Sequence, residues 1–341
     1  MDSGINLEAL ARWMDSAGLG SGPIEDATQL AGGTQNILLR FTRAGRIYVL
    51  RRPPPHLRDN SNETMRREAR VLSALAGSAV PHPGFIAVCT DESVLGAVFY
   101  LMEPIDGFNA ANGMPELHAT TPEVQHRMGL AMVEAAAALG AVDYKAVGLD
   151  GFGKPDNFLA RQVARWKAQL DSYSAFAGWP GAAGIPGVEK VAAWLEANRP
   201  GQFTPGIIHG DFHLANVMFK HESGELAAIV DWELSTIGDP LLDLGWLLAT
   251  WRVPGIQPVS LDIQPWIGFP TTDELVAHYA TLSDRDLSHA FWYGVLACYK
   301  LGCILEGTYA RACAGKAPKE TGDRLHAHTV NLFERALMWI G

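Results

Sequence analysis

The spacing of hydrophobic positions changes along the chain and separates an extended part from a helical one. Leu7, Leu10, Ala11, Met14 and Ala17 recur at the i, i+3, i+4 spacing of an amphipathic helix. From Ile37 to Phe41, and again from Arg46 to Arg52, the pattern becomes strand-like, with Ala44-Gly45 as the turn between the two runs. Alternation sets Ile47, Val49 and Arg51 on one face of the second strand and Tyr48, Leu50 and Arg52 on the other, and Pro53-Pro54-Pro55 stops it. A polar loop over His56–Asn62 leads into a predicted helix over Glu63–Ala76, with Met65, Ala69 and Leu72 inward and Glu68 near its middle. Two more strands, Phe85–Thr90 and Ala97–Glu103, flank the loop Asp91–Gly96. Strand, strand, helix, strand, strand predicts an antiparallel α+β layer.

Leu101-Met102-Glu103-Pro104-Ile105-Asp106-Gly107 breaks that layer, because a proline at a strand end makes a stiff crossover. The boundary expected from it divides residues 1–104 from residues 105–341. Beyond it the pattern is mostly helical. Thr121 as cap and Pro122 in the first turn open a helix to about Leu139, and a second spans Asn157–Ser172. A short helix ends near Asn198, and another opens at Thr272. Ser283-x-x-Asp286 reads as the capping box of a long helix reaching Cys313, and an amphipathic helix over Arg324–Ile340 ends the chain.

Between the helical segments lies the stretch the rest is organised around, Ile207 to Leu248. A polar knot, His209-Gly210-Asp211-Phe212-His213, precedes two apolar runs, Val217–Phe219 and Leu226–Val230, around a turn centred on Ser223-Gly224. Paired as a hairpin, the runs oppose Asn216 and Asp231 across its base, near Asp211. An amide oxygen and a carboxylate so placed suit a hard cation such as Mg²⁺, which takes oxygen ligands. Asp239 is placed to cap a helix with Pro240 at its first position. Asp243, flanked by Leu242, Leu244 and Trp246, is a carboxylate in an apolar helix; it needs donors, and the backbone of the His209–Asp211 loop is the expected source.

The pair Gly32-Gly33, with Thr34, between two extended segments has two readings, a hairpin turn or a loop whose amides face phosphate. His209, Asp211 and His213 also alternate as His-x-Asp-x-His, the pattern of a metallohydrolase strand. His-Gly-Asp followed by Asn five residues after the Asp has the spacing of a kinase catalytic loop, with Asp231 where a kinase keeps its second metal carboxylate.

The chain carries 27 Lys and Arg against 37 Asp and Glu, a formal charge of −10, which disfavours nucleic acid or an anionic membrane as partner. The four cysteines form no Cys-x-x-Cys pair, and three fall in one helical segment, as expected of buried free thiols. No basic region precedes an apolar run at the start, and Asp243 interrupts the best apolar stretch, so a cytoplasmic location is expected. A monomer and a homodimer are equally compatible with the pattern.

The segments IIHGDFHLANVMF, IVDWELSTIGDPLLDLGWLL, YVLRRPP, REARVLSAL, FYLMEPIDG and ARQVARW resemble the aminoglycoside phosphotransferase and choline kinase family, small-molecule kinases of protein-kinase-like fold. The resemblance spans about residue 28 to 315, and the branch most similar is the kinase-like domain linked to certain acyl-CoA dehydrogenases. It implies a two-lobed α+β fold, with a small antiparallel-sheet lobe and a mostly helical one. It implies transfer of the ATP γ-phosphate to an alcohol of a small substrate, with ATP and Mg²⁺ as cofactors. By position, Asp211 resembles the catalytic Asp, Asn216 and Asp231 the magnesium ligands, and Glu68 the helix glutamate that pairs with a strand cation. Glu103 to Ile105 resembles the linker that hydrogen-bonds adenine, and Gly32, Gly33 and Thr34 take the place of the phosphate loop. His209 and Asp243 support the catalytic loop. Arg51 stands where the family usually has lysine, which leaves a nucleotide-binding protein of weak catalysis as the alternative. Arg161, Arg165 and Lys167 around Trp166 form either a solvated helix face or a surface for an anionic, hydroxyacyl-CoA-like acceptor rather than an aminoglycoside-like one.

Overall fold

A computed structural model describes residues 4–30, 36–57, 59–253 and 263–341. Helix α1 (Leu7–Ser16) begins where the Asn6 side chain accepts from the Ala9 amide at 2.9 Å, and it buries Leu10 and Met14. Strands β1 (Glu25–Gln29), β2 (Ile37–Arg43) and β3 (Arg46–Arg52) follow, then α2 (Ser61–Ala74), β4 (Phe85–Cys89), a single turn α3 (Glu92–Leu95) and β5 (Phe99–Met102). The strands form one antiparallel sheet in the order β1-β2-β3-β5-β4.

The alternation along β3 decides what each sheet face covers. Tyr48 and Leu50 pack with Leu39, Phe41, Phe99 and Leu101 against Leu10 and Met14 of α1. Val49 on the other face joins Met65, Leu72 and Tyr100 in the core that continues into the helical part. Arg51 shares that face, opposite Leu38 on β2 and Tyr100 on β5, so its side chain is delivered to the junction between sheet and helices.

The helical part comprises α4 (Glu116–Thr120), α5 (Pro122–Ala141), α6 (Gln162–Ser172), α7 (Val188–Ala197), α8 (Leu241–Thr250), α9 (Thr272–Leu282), α10 (Ala290–Cys313) and α11 (Lys319–Ile340). Two small antiparallel pairs lie among them: β6 (Gly206–Ile208) with β9 (Thr236–Gly238), and β7 (Val217–Phe219) with β8 (Leu226–Ile229). Helix α8 is apolar all round and buried from Leu241 to Ala249, as a helix through the middle of a core must be. Gly245 lets α10 approach it, because a Cβ there would sit 2.4 Å from the Tyr293 backbone.

Three expectations shift. The capping box lies at Thr271 and Glu274, where each side chain meets the other's backbone; Ser283 instead ends α9 in extended conformation, and α10 starts only at Ala290. The Thr121 side chain makes no capping hydrogen bond, and Pro122 alone marks the start of α5. The β7–β8 ladder pairs Val217 with Ile229 and Met218 with Ala228 before a bulge, and the Val230 amide donates to the Asn216 carbonyl at 2.9 Å. Asn216 therefore faces Val230, and Asp231 lies one residue past the ladder. The cysteines are free, with Cys89, Cys298 and Cys303 buried. Among the described residues, no helix is long and apolar enough to cross a membrane.

Candidate active site

The loop between β6 and β7 carries Asp211, and its backbone is held from α8. The buried Asp243 carboxylate accepts from the His209 amide at 2.7 Å and from the Gly210 amide at 2.9 Å. Burial pushes the Asp243 carboxyl up, while the electrostatic influence of His209 and the two amides work against that rise. Gly210 has φ +87°, and a Cβ there would lie 2.6 Å from the Leu234 carbonyl, so only glycine fits this turn. His209 is buried, its Nε2 2.9 Å from the Val230 carbonyl oxygen, which ties the loop to the end of β8. Alanine at Asp243 removes both acceptors and strands two buried amides, at about 1–3 kcal/mol each. Denaturant unfolding of Asp243→Ala is expected to show a loss of roughly 2–5 kcal/mol; an unchanged midpoint would contradict this bracing.

Asp211 is half-buried and receives three contacts. Asn216 Nδ2 donates to its Oδ2 and to its backbone carbonyl, both at 2.9 Å, and His213 Nε2 lies 3.3 Å from its Oδ1. The Ala215 amide donates to His213 Nδ1 at 3.2 Å, which puts the ring proton on Nε2, facing Asp211. Burial alone would raise the Asp211 carboxyl. The hydrogen bond from His213, with the electrostatic influence of His213, His209 and Lys300, outweighs it and brings the carboxyl down to about 2. The group is thus an anion at any physiological pH. With Nδ2 committed to Asp211, the Oδ1 of Asn216 accepts none of the described hydrogen bonds and is the atom left for a cation.

On the sheet side, Arg51 bridges two carboxylates. Its Nε lies 2.8 Å from Glu68 Oε2, and its terminal nitrogen donates to Asp231 Oδ1 at 2.7 Å. The Tyr100 hydroxyl donates to Glu68 at 2.8 Å. Burial works against the Arg51 charge, but Glu68, then Tyr100 and Asp231, more than offset it and raise its pKa. Helix α2, which carries Glu68, is tied to the helical part: Arg67 lies over the Phe152 ring at 4.1 Å and donates to the carbonyls of Phe152 and Ser235. Asp231 turns the chain out of β8 with φ 66°, a left-handed conformation that Asp tolerates better than most residues. Ligand atoms of Glu68, Asp231 and Glu233 lie within 4.8 Å of one another. A set of oxygen donors of this kind fits Mg²⁺.

The linker offers a third element. The Glu103 amide is spent on the Gly84 carbonyl at 2.8 Å, and Pro104 has no N–H, so the Glu103 carbonyl and the Ile105 amide are the groups left to face a ligand. Gly32, Gly33 and Thr34 lie outside the described residues. His209, Asp211 and His213 do not gather as a metal cluster among the described residues, because His209 Nε2 is turned to Val230 and His213 Nδ1 is occupied by Ala215. The cations at the start of α6 and along it are largely committed. Arg161 donates to the Asp156 carbonyl and, at 2.7 Å, to that of Lys154, and Lys167 pairs with Glu189 at 2.6 Å. Arg165 alone of the three stays near the site, over the Trp166 ring at 4.9 Å.

The sequence reading passed over Lys300. It reaches from α10, its Nζ 3.0 Å from the Gly210 carbonyl oxygen and 4.3 Å from the centre of the Trp246 ring. The signal was present: Lys300 is the only charged residue between Ala290 and Leu305, and such a cation must find a partner.

A family model described as the phosphotransferase enzyme family matches residues 26–264, well over half of the chain. The chain belongs to the phosphotransferase enzyme family. As a member it is a small-molecule phosphotransferase whose acceptor is an alcohol group. A structure of a "putative aminoglycoside phosphotransferase" from Ralstonia eutropha JMP134 superposes with a TM-score of 0.80 at 28% identity, covering 98% of this chain and 99% of that one. The aminoglycoside phosphotransferase APH(4)-Ia, solved with AMP-PNP and hygromycin B, shares the fold at 15% identity and a TM-score of 0.59, over 94% of this chain and 98% of that one. Acyl-CoA dehydrogenase family member 10 of Mus musculus is 30% identical over 93% of this phosphotransferase but over only 29% of its own length. Family member 11 of Homo sapiens is 30% identical over 93% of the chain and 40% of its own length. The chain thus spans well under half of the length of these curated relatives.

Proposed function

We propose that the chain transfers the γ-phosphate of ATP, in a Mg²⁺-dependent reaction, to the hydroxyl of an acyl-type small molecule such as a hydroxyacyl-CoA. Two observations carry this reading: Arg51 bridges Glu68 and Asp231, and Asn216 holds Asp211 while its carbonyl accepts from the amide of Val230, the residue just before Asp231. MgATP, when bound, supplies an electrophilic phosphoryl group whose charge the metal offsets. Asn216 Oδ1 and the Asp231 carboxylate would hold the metal, and Arg51, released from Asp231, would hold phosphate oxygens bidentately. The Glu103 carbonyl and the Ile105 amide would orient the base. Asp211, anionic and fixed by Asn216 and His213, would align the acceptor hydroxyl and accept its proton as the bond to phosphorus forms. This reading divides the chain into a nucleotide-holding part, residues 1–104, and a part carrying the catalytic loop and acceptor pocket, residues 105–341.

For the acceptor, the observation that discriminates is the aromatic and cationic face made by Trp166 and Arg165, which adjoins Lys300, the residue bound to the Gly210 carbonyl. Such a lining favours an anionic or acyl acceptor over a polycationic aminoglycoside. The names of the curated relatives point the same way. A panel of hydroxyacyl-CoA thioesters, aminoglycosides, choline and sugars, with ADP release as the readout, tests it. Turnover is expected with a hydroxyacyl-CoA and not with kanamycin or hygromycin B. Turnover confined to an aminoglycoside would overturn the acceptor class, and ATP binding without turnover on any acceptor would favour a nucleotide-binding protein of weak catalysis.

A further inference from the structure

Gly210 stands between two peptide groups, and each is held from a different helix. The amide of Gly210 is bound by Asp243 of α8, and its carbonyl, which belongs to the peptide leading into Asp211, is bound by Lys300 of α10. The ammonium of Lys300 is itself lodged by aromatic faces, 4.3 Å from the Trp246 ring centre and 5.6 Å from that of Trp166. Cation–π attraction of this kind is strongest where water is excluded, and here it fixes a side chain that would otherwise sample many rotamers. Among the described residues this lysine, bound through a carbonyl and two ring faces, forms no direct ion pair, so its charge is spent on holding the loop.

We propose that Lys300 is a positioning residue for Asp211, setting the plane of the Gly210–Asp211 peptide and thereby the direction of the catalytic carboxylate. The inference rests on the reading of Asp211 given above. Helix α10 lies 90 residues beyond the loop, so the packing of α10 against α8 becomes a determinant of catalytic geometry. The pin is also proton-dependent. Burial, against the upward pull of Asp211 of the loop and Asp243 of α8 and with Arg165 of α6 adding to the fall, brings the Lys300 ammonium down to about 8. Below that value the bond to the Gly210 carbonyl is charge-assisted; above it a neutral amine offers a weaker donor and no cation–π attraction. Turnover therefore falls as pH rises through about 8, while the Asp211 anion is unchanged over the same range.

The test compares Lys300→Met and Lys300→Arg with the unaltered full chain, using MgATP with water as acceptor and amide hydrogen exchange over residues 207–216. Methionine is expected to lower kcat by about tenfold with KM for MgATP within about twofold, because a displaced loop costs rate rather than nucleotide affinity. Arginine stays charged, so it is expected to keep most of kcat and to lose the alkaline fall near pH 8. Exchange at residues 207–216 is expected to quicken in the methionine variant and not in the arginine one. Equal exchange in all three chains overturns the proposal, with or without a measurable hydrolysis rate. An unaltered alkaline limb in the arginine variant overturns it as well. Asp211→Ala, run alongside, separates the two ideas: full turnover there removes the role of Asp211, whereas the exchange result still reports whether Lys300 pins the loop.

Discussion

Alanine at Asp211 is expected to lower acceptor phosphorylation by a factor of about 10² to 10⁴ while leaving MgATP affinity within about threefold. The split follows from where the carboxylate sits. It lies at the head of the loop, contacted by Asn216 and His213, whereas the groups assigned to MgATP, Asn216 apart, lie on β3, on α2, in the linker and at the end of β8. Its carboxyl is held near 2, so it is a weak base toward a free alcohol. Its contribution is therefore orientation of the hydroxyl and acceptance of a proton that becomes acidic only as the new bond to phosphorus forms. Asp211→Asn keeps the volume and removes the charge, so it should lose nearly as much turnover as alanine. Steady-state kinetics with the acceptor found by the panel, beside calorimetric titration of MgATP, measures both halves. Turnover retained in either variant would remove Asp211 from the chemistry, and lost MgATP binding would move it to the nucleotide site.

How much of this was legible in the sequence depends on how local each interaction is. Asp211 and Asn216 lie five residues apart in one loop, so their spacing alone brings them into contact, whereas the ladder sets Asn216 opposite Val230 and leaves Asp231 one residue further on. The bracing by Asp243 was legible for a different reason: a carboxylate inside an apolar helix has to find donors, and the loop that enters next to α8 supplies them. The same rule applied to Lys300 would have found a buried partner for it, but not which one, because 90 residues of intervening chain separate it from Gly210. The hairpin register was missed by one residue because a bulge follows Met218 and Asp231 takes a left-handed conformation, neither of which changes the hydrophobic pattern. The two capping-box matches, Thr271 with Glu274 and Ser283 with Asp286, are equal in sequence. The helix α9 runs through to Leu282 and Ser283 leaves it in extended conformation, so only the first is a helix start. The cations of α6 show the limit of reading charge from a helix face, since Glu189 and the backbone of residues 154 and 156 absorb two of them.

Arg51→Ala is expected to cost more stability than any other single change at the site, and the lysine variant tells why. Glu68 has a side chain only 1% exposed, and with Arg51 gone its sole described partner is the Tyr100 hydroxyl. Removing one member of a buried pair leaves the other charge uncompensated, at about 3–5 kcal/mol, which corresponds to a fall in melting temperature of roughly 4–7 °C for a protein of this size. Lysine at the same position carries the charge to one carboxylate as a point donor, but it cannot span Glu68 and Asp231 together as the guanidinium does. Arg51→Lys should therefore recover most of the lost stability while loosening Asp231. In the nucleotide reading the two variants also separate in affinity. Alanine removes charge-assisted bonds to phosphate and should weaken MgATP by about 10- to 100-fold, whereas lysine, the residue usual in the resembling family, should stay within about tenfold of the unaltered protein. Scanning calorimetry of the free chains and MgATP titration decide it. If alanine melts with the unaltered protein, Glu68 has another source of compensation; if it also binds MgATP unchanged, Arg51 is a clasp between α2 and β8 and not part of the nucleotide site.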